Sequence, residues 1–276
     1  MGDLPRSPTG IVTYAYDTRM GLGQRFHSLE DFVASHASHV DGAIDCGDGS
    51  AVPIKGVEIE AAILFADISG FSTRTIDMSP VETLIYVQTF FGWITSQALR
   101  DRPGIVDKYI GDEAMVVFSR DFGSADPVTD AIQAAIDMVR HDPHAYRPHV
   151  GIAFGRVIVG FAGTPLRYNV SVFGCPVALA ARCAGVKPDD PDMAPPDIAL
   201  PSSDWGDRSL EDATGPSEMP NSLVLGEARL APLKGFGEIS IREIFNEAIW
   251  VANPTAEDRA REALENLRSN NRYWSR

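Results

Sequence analysis

Asp67 and Asp112 are the residues of this chain best suited to chemistry. Asp67 lies in Phe65-Ala-Asp-Ile-Ser-Gly-Phe71, after an apolar run, and Asp112 in Asp107-Lys-Tyr-Ile-Gly-Asp-Glu113, before the apolar run Ala114 to Phe118. An aspartate after a strand is commonly only a turn former or a helix cap. Two of them at turns leaving central strands would meet at one edge of a sheet, and such hard oxygen ligands suit Mg²⁺ or Mn²⁺ alongside phosphate oxygens. The pair predicts metal-assisted chemistry on a nucleotide.

The elements that must position them follow from hydropathy period and turn chemistry. Val57 to Phe65 alternates and then becomes continuously apolar, as a strand entering a buried sheet does. Ser79-Pro-Val-Glu82 supplies an N-cap, a proline at the first helical position and a capping-box glutamate. The helix it starts runs to Leu99, with Leu84, Val87, Phe91, Ile94 and Leu99 along one face. Gly104 to Tyr109 and Ala114 to Phe118 read as a hairpin that aims Asp112 outward. A helix over Val128 to Val139 follows, then strands at His149 to Phe154, Val157 to Ala162 and Asn169 to Phe173, and a helix over Gly174 to Ala184. The order strand, helix, hairpin, helix, strand predicts an α+β fold of ferredoxin-like βαββαβ type, with a mostly antiparallel sheet and helices on one face.

Outside this core, residues 1–57 read as an N-terminal arm with a short helix within Leu29 to Val40, followed by a catalytic domain over 58–250. Residues 186–222, rich in Pro, Asp and Ser, read as a loop insertion with one short strand at Asp197 to Leu200. Leu223 to Ala231 and Glu238 to Phe245 suggest a last hairpin around Lys234-Gly-Phe-Gly237, and 251–276 a C-terminal helix, over Thr255 to Leu267, and tail.

The chain has 276 residues, 44% of them hydrophobic, enough to bury a substantial core. A formal charge of -14 and a pI near 4.8 argue against a nucleic-acid surface or an anionic membrane patch, both of which need clustered Lys and Arg. Cys46, Cys175 and Cys183 lack metal-ligand spacing, and Cys175 and Cys183 read as small core residues. His36 and His39 read as solvated residues on the first helix. With no apolar run of membrane length and no apolar signal core at Met1-Gly-Asp-Leu-Pro5, the expectation is a cytoplasmic protein.

Four segments taken together, Phe65-Ala-Asp-Ile-Ser-Gly-Phe71, Lys108-Tyr-Ile-Gly-Asp112, Gly151-Ile-Ala-Phe-Gly-Arg-Val-Ile-Val-Gly160 and Val172-Phe-Gly-Cys-Pro-Val-Ala-Leu-Ala-Ala-Arg182, resemble the class III nucleotide cyclases, in order and with workable spacing from Val57 to Ile244. The resemblance implies two divalent ions per site, Mn²⁺ or Mg²⁺, held by Asp67 and Asp112 with the Ile68 carbonyl, and phosphate contacts from the turn Ser69, Gly70 and Phe71. It makes Arg182 the residue that stabilises charge on the α-phosphate, and it places a triphosphate-binding lysine at Lys234. In this family the metal ligands and the arginine come from opposite subunits, so a head-to-tail homodimer with sites at the interface is implied.

The departures from the family pattern bear on the substrate. Ala178 replaces the usual ribose-orienting Asn, and Cys175-Pro176 the common Asp-Thr. The base-reading pair maps to Lys108 and Ser171, whereas adenylate cyclases pair Lys with Asp or Thr and guanylate cyclases Glu with Cys. With a smaller base, Lys108 could donate to a carbonyl while Ser171 donates or accepts. These features look most like the bacterial pyrimidine cyclases of antiphage signalling systems. The expectation is cyclisation of UTP, or next CTP, to a 3′,5′-cyclic monophosphate and pyrophosphate, as a second messenger for a cyclic-nucleotide-binding effector. An adenylate cyclase, or a degenerate cyclase fold serving as nucleotide sensor or scaffold, is the alternative.

Overall fold

A computed structural model describes residues 23–246, apart from residues 46, 48–50, 141, 143–145, 165, 189–193, 204–209 and 211–222, together with residue 265. The chain order is α1 (Leu29–Ser35), β1 (Val40–Asp45), β2 (Ala51–Ile68), α2 (Phe71–Thr75), α3 (Pro80–Leu99), β3 (Gly104–Ile110), β4 (Glu113–Ser119), α4 (Pro127–Arg140), β5 (Pro148–Thr164), β6 (Arg167–Phe173), α5 (Cys175–Ala184), β7 (Ile198–Pro201), β8 (Leu223–Leu225), β9 (Arg229–Leu233) and β10 (Gly237–Asn246). The expected C-terminal helix and most of the loop at 186–222 lie outside the described residues.

One mixed sheet runs β3-β4-β2-β5-β7-β10-β8, with β1 on β2, β6 on β5 and β9 on β10; among the described strands only β5 and β7 pair in parallel. Its centre is the antiparallel pair β2–β5, in register from Gly56↔Gly160 to Ile68↔Pro148. The strand is longer than the apolar pattern indicated because residues 51–56 pair with β1, where exposure allows polar residues. Likewise the two strands expected over 149–162 are one continuous β5. Gly155, at φ 156°, carries the chain through the position where a break was anticipated.

The strand period of two sends alternate β2 residues to opposite faces, and both faces are covered. Ala62, Leu64, Ala66 and Ile68 pack with Tyr86, Phe90 and Ile94 of α3 and Ile132 and Ala135 of α4. Ala61, Ile63 and Phe65 pack with Leu29, Phe32 and Val33 of α1 and Ala180 and Ala184 of α5. The expectation of helices on one face is therefore corrected: the N-terminal helix and α5 cover the second face, and a sheet apolar on both sides needs both layers.

Helix α3 starts as its sequence indicates. Ser79 Oγ accepts from the Glu82 amide at 3.3 Å, and Glu82 Oε2 accepts from the Ser79 amide at 2.8 Å. Its buried stripe is Tyr86, Phe90, Ile94 and Ala98, while Leu84 is exposed. The expected stripe was rotated because the helix is apolar nearly all round, so periodicity alone does not select its inner face. Helix α1 ends at Ser35, which leaves His39 outside it, where its Nδ1 accepts from the Glu58 amide at 2.8 Å. Cys183 is buried, and burial pushes its thiol up to about 12; Cys175 is exposed at the start of α5 rather than in the core.

Candidate active site

Strand β2 ends at Ile68, and Gly70 takes φ 64° to turn the chain into α2. That left-handed conformation is inexpensive only for a residue without Cβ. On the neighbouring strand, Gly111, also at φ 64°, and Asp112 form the two-residue turn between β3 and β4, where Ile110 pairs with Glu113. Asp67 stands directly opposite Glu113 in the β2–β4 ladder. The turn thus brings Asp112 to Asp67, as the sequence predicted, and adds Glu113, which it did not single out.

Crowding of like charge defines this end of the sheet. Burial, a hydrogen bond with the Asp112 side chain, and the negative charges of Asp112 and Glu113 push the Asp67 carboxyl up to about 8. Burial and Asp112 likewise raise Glu113, and the Arg182 guanidinium opposes that rise. Two carboxylates held together in a half-buried site are what a divalent cation relieves, so Asp67, Asp112 and the adjoining Ile68 carbonyl fit Mg²⁺ or Mn²⁺. Among the described residues no group of three or more His, Cys, Asp or Glu side chains is arranged to hold a metal unaided.

The other expected site residues fall into two sets. Ser69 and Phe71 are half-buried and Gly70 exposed, flanking the start of α2, whose first amides have no partner within the helix. Arg182 is exposed in the last turn of α5 and Lys234 exposed in the turn between β9 and β10; neither forms an ion pair among the described residues. Ala178 is exposed on α5. Helix α5 is seated by Gly151 of β5, where a Cβ would stand 2.1 Å from the Ala180 carbonyl oxygen and 2.2 Å from the Ala184 nitrogen. The glycine motif of β5 is therefore a seat for the arginine-bearing helix.

Lys108 and Ser171 also meet, although β3 and β6 share no ladder. Lys108 Nζ donates to Ser171 Oγ, and both bind a third residue: Ser171 Oγ donates to Asp107 Oδ2 at 3.0 Å, and Lys108 Nζ lies 3.2 Å from the same oxygen. The Asp107 side chain is 1% exposed and that of Lys108 33%. Burial raises the Asp107 carboxyl above the ordinary range, against the opposing charge of Lys108 and the hydrogen bond from Ser171. Sequence reasoning missed Asp107 because strand alternation puts neighbours 107 and 108 on opposite faces. A β-bulge between Val106 and Lys108 turns both toward Ser171. The available signal was an acidic residue beside a lysine in a strand otherwise fit for the core.

Comparison with known proteins bears on the fold that carries this site. Residues 56–187 match the family model of the adenylate and guanylate cyclase catalytic domain. The adenylyl cyclase CyaB from P. aeruginosa superposes with a TM-score of 0.54 at 19% identity, covering 70% of this chain and 96% of that one. The guanylate cyclase domain of RhGC from Catenaria anguillulae gives 0.53 at 18%, covering 69% and 98%. By sequence, an uncharacterized protein of Mycobacterium tuberculosis is 28% identical over 186 residues, 66% of this chain and 32% of that protein. An adenylate cyclase of Anabaena cylindrica is 30% identical over 151 residues, 48% of this chain and 30% of that enzyme. The chain thus spans about a third of the length of these curated relatives. Residues 56–187 are thus similar in sequence to the adenylate and guanylate cyclase catalytic domain, and the described residues have the class III nucleotide cyclase fold. No helix of the described residues is long and apolar enough to cross a membrane.

Proposed function

We propose that this protein is a nucleotide cyclase that converts a pyrimidine nucleoside triphosphate, UTP before CTP, to its 3′,5′-cyclic monophosphate and pyrophosphate. The observation that carries the reading is the meeting of Asp67 and Asp112 at one sheet edge, in a site whose crowded negative charge calls for a cation. When bound, two divalent ions would lower the cost of ionising the ribose 3′-hydroxyl and neutralise the leaving pyrophosphate. Asp67 and Asp112 hold that charge in place, the turn Ser69–Phe71 offers amides to phosphate oxygens, and Arg182 meets charge growing on the α-phosphate. Lys234 binds the triphosphate. Arg182 and the carboxylate pair of opposite protomers complete each site, so the active species is a head-to-tail homodimer. The pairing of Lys108 with Ser171, and Ala178 in place of a ribose-orienting amide, favour a pyrimidine. The product is a second messenger for a cyclic-nucleotide-binding effector in bacterial antiphage defence, made in the cytoplasm.

Incubation of the purified protein with ATP, GTP, CTP and UTP in turn, with Mn²⁺, followed by product separation, tests this directly. Cyclic UMP or cyclic CMP as the main product is expected; no cyclic product from any of the four rejects the enzyme. A second reading, an adenylate cyclase, is favoured by Lys108 and by the similarity to the Anabaena cylindrica enzyme, and cyclic AMP as main product would select it. A degenerate sensor or scaffold would keep its biological output after Asp67→Ala, which the cyclase would not.

A further inference from the structure

We propose that Asp107 is the residue that imposes base selectivity, by locking Ser171 as a hydrogen-bond acceptor and Lys108 as a donor. This inference rests on the reading that Lys108 and Ser171 face the base. The argument is an inventory of protons and lone pairs. Asp107, an acceptor when ionised, takes the one hydroxyl proton of Ser171 at 3.0 Å. Lys108 fills one lone pair of Ser171 Oγ with one N–H and aims a second at Asp107 Oδ2, 3.2 Å away. What remains is one N–H on Lys108 and one lone pair on Ser171 Oγ. The pair therefore asks the base for one acceptor and one donor side by side, such as O4 and N3–H of uracil.

A serine hydroxyl alone would enforce nothing, because it rotates to donate or accept as the ligand requires. Asp107 removes that freedom, and the burial of Asp107 and Ser171 keeps water from restoring it. Without Asp107 a base that presents two neighbouring acceptors is no longer refused. Selectivity then falls, while the triphosphate, gripped elsewhere, binds as before. Asp107 is thus a positioning residue that acts through Lys108 and Ser171.

The test compares the wild type with Asp107→Ala and with the conservative Asp107→Asn, which keeps an acceptor oxygen but loses the charge. Each is assayed for turnover of the four nucleoside triphosphates and, by calorimetry, for binding of their non-reactive α,β-methylene analogues. Asp107→Ala is expected to lower the ratio of kcat/KM between the preferred and the next nucleotide by about tenfold, the worth of one mis-set hydrogen bond, with a parallel loss in binding preference. Asp107→Asn should fall between, and it carries the test if the alanine variant does not fold. An unchanged ratio in a folded variant overturns the proposal. If the wild type turns over nothing, yet binds one analogue selectively and loses that selectivity with Asp107, the cyclase reading fails and this inference stands. A wild type without base preference in either assay overturns the inference, and turnover in that case leaves the cyclase reading intact.

Discussion

Asp67 and Asp107 are both aspartates of sheet strands whose burial raises their pKa, but their surroundings treat the charge oppositely. Around Asp67 stand Asp112 and Glu113, two more carboxylates, whereas Asp107 has the Lys108 ammonium and the Ser171 hydroxyl. The first cluster sets like charge against like; in the second, an ammonium and a hydroxyl both meet Asp107 Oδ2. Charge left uncompensated marks where a ligand must bind, and charge compensated by side chains marks where groups are held in order. A third buried aspartate, Asp197 at the start of β7, belongs to neither: its Oδ2 accepts from the Asn246 amide at 2.6 Å and joins two strands.

Removing Asp67 is the harshest break of this contrast. Asp67→Ala should lower turnover about a thousandfold or more, by analogy with other loss of transition-state charge stabilisation, while raising the melting temperature because a crowded carboxylate is gone. The gain in melting temperature should be larger at pH 8 than at pH 5, since a carboxyl raised to about 8 loses its stability contribution as pH climbs through that value. Turnover assays and thermal melts at the two pH values check both; wild-type-like turnover would remove Asp67 from the site.

Gly151→Ala acts on the support of Arg182 instead. A methyl group 2.1 Å from the Ala180 carbonyl must push α5 away from β5, at a cost of about 3 kcal/mol. Mn²⁺ affinity at Asp67 and Asp112 should survive while turnover falls, read by metal titration beside kinetics.

Asp197 serves as the control buried carboxylate. Burial raises it to about 6, so the folded state takes up its proton before the unfolded chain does, and stability is lost as pH rises from about 4 through 6. Asp197→Asn should flatten this loss, about 3 kcal/mol by denaturant titration, with nucleotide turnover unchanged. The mildest effect is on metal affinity in the wild type. Below about 8 the ion must displace a proton from the Asp67 and Asp112 pair, so apparent Mn²⁺ affinity should fall at most about tenfold per pH unit from 8 to 6, with proton release on binding. A pH-independent affinity would mean that the ion does not displace that proton.

Local chemistry was legible from residues alone wherever one stretch of chain decides the outcome. The Ser79–Glu82 capping box, the Gly111-Asp112 turn and the apolar core of β2 all follow from short-range sterics and hydrogen bonds. They sufficed to place Asp67 and Asp112 at strand ends. The inner face of α3 was not legible, because a helix apolar on most sides is oriented by what it packs against. The same holds for α5, whose seat on Gly151 is a contact between elements.

By itself, then, the sequence determined the order of the main core strands and helices from β2 to α5, apart from a break in β5 that the fold does not have, and the carboxylate pair, since turn chemistry and hydropathy period are properties of neighbouring residues. Only the tertiary structure decided that Asp107 and Lys108 share one side of a strand and meet Ser171, 64 and 63 positions away. A bulge breaks the two-residue period at that point, and the meeting of β3 with β6 depends on how the whole sheet closes over its core.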